Sequence, residues 1–143
     1  MPSQTVDTIE RNAQKAYEWL DDLAEELGDE DRARAWRVLR AYLQLLRDRL
    51  TTSEAAQLAA QLPHLLRGVF YEGFDPERRP DRVRNREVFL TRLAERAQLR
   101  DAAEAATAAA AATRVLRRHV SEGEIQDALS QLPGEIRAVL DRD

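Results

Sequence analysis

Apolar residues recur at steps of three and four along most of this 143-residue chain. In the first stretch the series runs from Val6 to Leu27 and stops at Gly28, a residue type that commonly ends a helix. The next stretch carries Trp36, and the same spacing continues to Leu50. Because this period places apolar side chains on one face of an α-helix, the pattern predicts a chain that is helical almost throughout.

Two capping signals mark helix starts further along the chain. Thr51 precedes Glu54 by three residues, and Ser121 precedes Glu124 by three. In such a capping box the hydroxyl accepts a hydrogen bond from a helix amide, and the glutamate accepts one from the amide of the capping residue. We interpret both glutamates as capping groups with no further chemistry. After each short helix, a Leu-Pro pair predicts the first turn of another. The predicted helices cover residues 5–27, 31–50, 51–61, 63–71, 86–98, 101–119, 121–131 and 133–141.

The chain also resembles itself after a shift of 70 residues. Residues 20–70 align with residues 90–140 without a gap, and 16 of the 51 aligned positions are identical. Self-similarity of this length is typical of an internal repeat. We therefore predict a single all-α domain over residues 1–143, an eight-helix bundle made of two tandem, pseudo-symmetric four-helix repeats. Repeat 1 covers about residues 5–70, a linker covers 71–85 and repeat 2 covers about 86–141.

The composition narrows the class of protein. Cysteine is absent, which excludes disulfides and thiolate metal sites, and His64 and His119 are the only histidines. No stretch approaches the ~20 apolar residues that cross a bilayer, and the first residues carry neither the basic start nor the apolar run of a signal peptide. We therefore expect a cytoplasmic protein with no membrane segment and no cofactor.

Charge is unevenly distributed, although the formal net charge is only −4. Residues 1–31 carry ten acidic side chains against two basic ones, whereas residues 32–50 and 77–100 are positively charged overall. Of the 22 basic residues 21 are arginine, which together with the many alanines is typical of a GC-rich bacterial genome. Nucleic-acid binding needs concentrated positive charge and a recognisable motif, so the acidic balance argues against a nucleic-acid partner.

Four segments of the chain resemble a known bacterial family. Leu-Arg-Asp-Arg-Leu at 46–50, and the strings at 54–63, 66–74 and 117–124, are similar to the family catalogued as domain of unknown function 2267. The resemblance extends over most of the chain, although Phe74 stands where many relatives would have tryptophan. It implies an all-helical fold and a small, intracellular bacterial protein. It implies no activity, cofactor or catalytic residue.

The linker at 71–85 is the candidate functional site. It places aromatic rings beside arginines, and arginine suits phosphate or carboxylate whereas aromatic faces suit bases or cations. An alternative interpretation is structural: the aromatics fill the seam between the two halves, and the arginines neutralise the acidic residues at 18–31. The candidate ligand-binding residues are Tyr71, Phe74, Arg78, Arg79, Arg82 and Arg84.

The two histidines have simpler explanations than catalysis. A histidine beside a carboxylate can act as an acid or base, and His119 precedes Glu122 and Glu124 closely in the sequence. In the repeat alignment, however, His119 corresponds to Arg49, and positive charge is favourable at a helix C-terminus. We therefore interpret His119 as a capping residue. His64 follows Pro63 in the first turn of its helix, and we interpret it as a surface or boundary residue.

These observations favour a non-catalytic interaction or binding module. The sequence contains no recognised motif for phosphate cradling, zinc hydrolysis or nucleophilic attack, which argues against an enzyme. The partner of such a module would be an unidentified protein or a second copy of the chain. The alternative is a protein that binds a small molecule or phosphorylated ligand, or an unrecognised enzyme, using the arginines and aromatics of the linker.

Overall fold

The computed structural model describes residues 4–142, and within them the chain forms eight α-helices and no β-strand. Residues 1–3 and 143 of the predicted domain lie outside the described residues. The predicted all-α class and the predicted helices are confirmed. The helices are α1 (Asp7–Leu27), α2 (Arg32–Arg47), α3 (Thr52–Ala59), α4 (His64–Tyr71), α5 (Arg86–Ala97), α6 (Ala102–His119), α7 (Glu122–Ser130) and α8 (Gly134–Leu140).

The predicted boundaries differ most at the end of α2. The prediction continues this helix to residue 50, but α2 ends at Arg47. Beyond it, the Arg49 amide donates to Leu46 O at 3.0 Å and the Leu50 amide donates to Arg47 O at 3.0 Å. Hydrogen bonds of this i→i−3 type tighten the chain into turns. The turns lead directly into Thr51, the N-cap of α3.

An aspartate caps the start of the second helix in each half, α2 and α6. Asp31 Oδ1 accepts a hydrogen bond from the Arg34 amide at 3.0 Å, and Asp101 Oδ1 accepts one from the Glu104 amide at 2.9 Å. Each aspartate thereby satisfies an amide that has no partner within its helix. The two aspartates lie 70 positions apart, so the repeat carries this local signal in both copies.

Helix α6 lies in the core of the bundle. Its alanines between 105 and 112 are almost completely buried, and the small side chains let α6 pack against α1, α2, α5, α7 and α8. The Tyr42 hydroxyl on α2 lies 2.9 Å from Thr113 Oγ1 on α6, and both side chains are buried.

Neither α6 nor any other helix in the described part of the chain is long and apolar enough to cross a bilayer. A cytoplasmic location stays a prediction.

The hydroxyl half of each predicted capping box is confirmed. Thr51 Oγ1 accepts a hydrogen bond from the Glu54 amide at 3.1 Å, at the start of α3. Ser121 Oγ accepts one from the Glu124 amide at 3.3 Å, at the start of α7. Each of the two short helices therefore begins at a hydroxyl cap, three residues before its glutamate.

The predicted role of the glutamate in each capping box is wrong. The Thr51 amide donates to Gln131 Oε1 at 3.0 Å, and the Ser121 amide donates to Gln61 Oε1 at 2.8 Å. Glutamines from the opposite half of the chain therefore occupy the amides that the glutamates were expected to reach. Because α3 packs against α7, the two glutamates instead lie buried between these helices.

Candidate functional site

The first part of the linker is anchored to the end of α2. The ring centroid of Phe74 lies 5.5 Å from Arg47 Cζ and 4.8 Å from Arg78 Cζ. Arg78 Nη2 donates to Arg47 O at 2.7 Å, and Arg78 Nη1 donates to Asp48 O at 3.2 Å. Arg47 Nη1 donates to Phe70 O at 2.8 Å. Phe74 and Arg78 therefore close the C-terminal end of α2, where carbonyls lack helical partners.

Two further predicted residues, Tyr71 and Arg79, stay at the surface. Tyr71 ends α4, and its ring centroid lies 5.7 Å from that of Phe74. Arg79 is exposed, and no ion pair or hydrogen bond joins its side chain to another residue between 4 and 142. Neither residue lines the cavity that Arg82 and Arg84 share. The structure therefore divides the six predicted residues between different places.

The second part of the linker closes a cavity against both halves of the chain. The cavity has a volume of about 440 Å³, and we name it the linker pocket. Its walls come from the turns between α2 and α3, from the linker and from the Gln-Leu-Pro turn before α8. The lining residues are Arg49, Thr51, Pro80, Asp81, Arg82, Arg84, Gln131, Leu132 and Pro133.

Arg49 is the buried cation of the linker pocket. Its side chain is 1% exposed, its Nη1 donates to Val83 O, and its Cζ lies 5.3 Å from the ring centroid of Phe89. Its Nη2 is buried, has no acceptor in the described structure, and lies 4.0 Å from Asp81 Oδ2. Burial lowers the pKa of Arg49, an effect that Asp81 partly offsets. A buried charged donor without an acceptor is unfavourable, so this atom is suited to an incoming anion.

Asp81 is the one acidic residue that lines the linker pocket. Its Oδ1 accepts from the Val83 amide at 2.9 Å, and its Oδ2 accepts from Arg92 Nη1 at 2.7 Å. Burial opposes ionisation of Asp81, but these hydrogen bonds and the charge of Arg49 outweigh it, and the pKa of Asp81 is lowered. Asp81 is therefore ionised at neutral pH, and its charge is shared with Arg92.

Arg82 and Arg84 complete the positive charge of the linker pocket. Both are exposed, and within residues 4–142 neither guanidinium makes a hydrogen bond or ion pair. With Arg49, three arginines line the pocket against the single carboxylate of Asp81. The pocket is therefore locally cationic in a chain whose net charge is −4. Arg82 and Arg84 were predicted from the sequence as ligand-binding residues, whereas Arg49 was predicted only as a cation near a helix end.

The linker arginines do not neutralise the acidic stretch at 18–31, so that part of the structural interpretation is wrong. Asp21 instead accepts from Arg32 Nε at 2.7 Å, and Glu26 accepts from Arg114 Nε at 2.8 Å. Helix α6 and the start of α2 therefore supply the compensating charges. Phe74 is partly buried and packs against the core, whereas Tyr71 is exposed, and the filling of the seam between the halves by the aromatics stays a prediction.

His119 meets a carboxylate, but a different one from those that follow it in the sequence. Its Nε2 lies 2.8 Å from Asp22 Oδ2 on α1, and its ring stacks on Trp19 with centroids 4.5 Å apart. Glu122 pairs instead with Arg117 at 2.8 Å. His119 therefore ties the end of α6 to α1, a contact between helices that the capping interpretation did not include.

The fold and the pocket define a small all-helical protein with a cationic cavity at its linker. In the part of the chain that the structure describes, no cluster of three or more His, Asp or Glu side chains could hold a metal ion. Residues 16–139 match the family described as "Uncharacterized conserved protein (DUF2267)", and the chain belongs to this family. The predicted resemblance is confirmed, and a bacterial origin stays a prediction. No curated protein matches the chain.

Proposed function

We propose that this protein is a non-catalytic binding module whose linker pocket takes a small anionic ligand bearing a phosphate or carboxylate group. One observation carries the proposal: Arg49 Nη2 is buried beside a cavity of about 440 Å³ and has no acceptor among the described residues. Cavities of roughly 300–1,000 Å³ are typical of small-molecule sites. The proposal keeps Arg82 and Arg84 as ligand-binding residues and assigns Phe74 and Arg78 to the support of the linker.

The chemistry of the pocket fits an oxyanion. Guanidinium groups present fixed N–H donors that match carboxylate and phosphate oxygens, and hydrogen bonds between charged groups are stronger than neutral ones. Arg49 would supply a rigid buried donor, because it is already held by Val83 O and by the Phe89 ring. Arg82 and Arg84 are exposed and free to turn toward the ligand.

We also propose that the two halves are related by a pseudo-twofold axis, with the linker pocket on their boundary. The helix contacts support this relation, because α1 packs on α2 and α6 as α5 packs on α6 and α2. The crossed hydrogen bonds from Thr51 N to Gln131 Oε1 and from Ser121 N to Gln61 Oε1 also exchange under the 70-residue shift. Such reciprocal contacts are typical of twofold interfaces.

Thermal denaturation with anionic probes tests the ligand proposal. We expect inorganic phosphate, pyrophosphate, citrate or a nucleoside monophosphate to raise the melting temperature in a saturable way, because a ligand that binds only the folded state stabilises it. The double variant Arg82→Ala/Arg84→Ala should abolish a rise that comes from the linker pocket. Both side chains lack partners, so the variant should fold normally.

Arg79→Ala is the matched control. Arg79 is an exposed linker arginine without partners, like the other two, but it does not line the pocket. The control should keep the response of the wild-type protein to the probe. An equal loss in the control and in the double variant, or a wild-type protein that responds to none of the four probes, would contradict the proposal.

A second candidate function is self-association through α1. Of four exposed apolar residues on α1, its N-cap and α4, Tyr17 and Leu65 line one groove of about 370 Å³, whose lining also includes Ala13, Trp36 and other apolar side chains. The face carries both protruding side chains and a concave apolar surface, as a twofold interface between identical chains requires. The exposed residues are Val6, Ile9, Tyr17 and Leu65.

Light scattering across a concentration series tests self-association. We expect a dimer to form as concentration rises, and Ile9→Asp should keep the chain monomeric, because Ile9 is 65% exposed and its loss removes apolar contact area. Gln14→Asp places the same charge at another exposed position of α1 and should leave the dimer intact. A wild-type protein that stays monomeric throughout would contradict this candidate. A different protein partner stays a prediction.

A further inference from the structure

We infer that a second cavity, formed by α1, the Gln-Leu-Pro turn before α4 and the end of α6, binds the phosphate group of a phosphate monoester. This site is separate from the linker pocket and does not depend on the function proposed for it. The cavity has a volume of about 450 Å³, and we name it the histidine pocket because both histidines of the chain line it. Its ionisable lining residues are Arg11, Lys15, Glu18, His64, Arg67 and His119.

The charge on one wall distinguishes the histidine pocket from the linker pocket. The 70-residue shift pairs the two Gln-Leu-Pro turns with each other and pairs His119 with Arg49. At the same 70-residue spacing, but before the aligned segment begins, Arg11 on α1 falls opposite Asp81 in the linker, and each residue lines its own pocket. Arg11 therefore adds a cation to the histidine pocket, and Glu18 is the one acidic residue in its lining.

Arg11 and Lys15 are available to a ligand. They lie one helical turn apart on α1, both are exposed, and in the described residues neither makes an ion pair or a side-chain hydrogen bond. Like charges four residues apart on a helix repel each other. An anion between them would remove this repulsion, and a dianion would do so more effectively than a single carboxylate.

The start of α4 adds uncharged donors to the same cavity. Pro63 is the N-cap of α4 and provides no side-chain acceptor, so the first turn has no side-chain cap. Pro63 O accepts from the Arg67 amide at 2.8 Å, and the amides of His64, Leu65 and Leu66 have no acceptor within the described structure. Pro63 and His64 line the cavity. Free amides at the positive end of a helix favour phosphate.

The hydrogen bonds of the two histidines leave one nitrogen of each ring unused. Asn12 Nδ2 donates to Thr8 O at 2.7 Å, so Asn12 Oδ1 is an acceptor and His64 Nδ1, 2.9 Å away, carries the hydrogen. His119 Nε2 donates to Asp22 Oδ2 at 2.8 Å. The remaining nitrogen of each ring becomes a donor when the ring is protonated. Phosphate has three terminal oxygens that can use these donors together with Arg11 and Lys15.

Tryptophan fluorescence localises the binding. Trp19 lines the histidine pocket and stacks on His119, whereas the only other tryptophan, Trp36, lies elsewhere. In a Trp36→Phe background, we expect glycerol 3-phosphate and inorganic phosphate to change the emission of Trp19 with saturation. Adding Arg11→Gln/Lys15→Gln should weaken the fitted affinity by about tenfold or more, because two charge-assisted hydrogen bonds are lost.

A charge-matched control separates a site from general attraction of anions. Arg79→Gln/Arg96→Gln removes the same number of exposed, unpaired cations outside the pocket and should leave the affinity unchanged. The inference would be overturned if the control lost the same affinity, or if calorimetry detected binding without any change in Trp19 emission. The variant Arg82→Ala/Arg84→Ala should keep the Trp19 response, so failure of the linker pocket and failure of the histidine pocket give different results.

Discussion

Replacing Glu124 by glutamine should change how the stability of the protein depends on pH. Glu54 and Glu124 occupy the first turns of α3 and α7, and their side chains are 8% and 7% exposed. The Oε2 atom of each is buried and has no hydrogen-bond partner in the described structure. Burial, the hydrogen bond with Glu54 and the negative charges of Glu54 and Asp127 raise the pKa of Glu124 to about 8. The pair therefore holds one proton at neutral pH.

The direction of the effect follows from proton binding. The folded protein keeps a proton on Glu124 up to about pH 8, whereas the unfolded chain releases it near the ordinary glutamate value of 4.5. Between these limits the folded state binds more protons than the unfolded state, so the free energy of unfolding falls as pH rises. Stability is therefore greatest at the acidic end of this interval and is lost as pH passes about 8.

The size of the effect has a clear upper limit. Raising the pKa from 4.5 to about 8, at about 1.4 kcal/mol for each unit, corresponds to about 5 kcal/mol. The positive ends of α3 and α7 favour ionised carboxylates, which reduces the shift. Relaxation of the ionised pair toward solvent reduces it further. We expect the wild-type protein to lose about 2–3 kcal/mol of unfolding free energy between about pH 5.5 and pH 8.5.

Urea denaturation followed by circular dichroism measures this loss. Glu124→Gln should show a much smaller loss, because an amide donates to Glu54 at every pH in the interval. Glu135→Gln, in the exposed first turn of α8, is the control and should follow the wild-type curve. Apart from the substituted residues, the ionisable groups are common to all three proteins, so the difference between curves isolates the glutamate pair. Equal slopes for wild-type and Glu124→Gln proteins would refute the reasoning.

Two further substitutions test local features of the fold by the same denaturation measurement. Gly28 and Gln98 are the C-caps of α1 and α5, with φ of 85° and 59°. Because only glycine adopts this left-handed conformation freely, Gly28→Gln should lower the free energy of unfolding by about 1 kcal/mol, and Gln98→Gly should raise it by about 0.5 kcal/mol. Effects of the same sign would contradict this. Tyr42→Phe should cost about 1 kcal/mol, because the Thr113 hydroxyl donates to Ala109 O at 2.9 Å and its oxygen would lose the donor that Tyr42 provides. A neutral result would show that this hydrogen bond contributes nothing.

The helices could be predicted from the sequence because their signals are local. The hydroxyls of Thr51 and Ser121 act on amides three residues away, within reach of any capping rule. The glutamate half of the same rule failed because the competing acceptors, Gln61 and Gln131, come from the other half of the chain. No local pattern contains that information, since it depends on how α3 and α7 pack.

The candidate site was predictable only in part, for a similar reason. Arg78 and Arg82 look alike in the sequence, but Arg78 reaches the carbonyls at the end of α2 and Arg82 faces a cavity. The path of the linker decides this difference. Arg49 was not predicted to line the pocket, because its position beside the linker is a tertiary contact. Its alignment with His119 was an available signal, since Arg49 and His119 each lie against an aromatic ring, Phe89 or Trp19.

The proposed pseudo-twofold relation explains why some residues of the repeat contact their own counterparts and others do not. A residue close to such an axis meets its own counterpart, so identical glutamates at 54 and 124 must form a carboxyl pair that shares a proton. A residue far from the axis does not meet its counterpart and can differ from it freely. Arg49 and His119 are an example: they are aligned in the repeat, and they line the linker pocket and the histidine pocket respectively. If both proposed sites bind anions, duplication would provide two related cavities, and divergence away from the axis would allow each cavity to select its own anion.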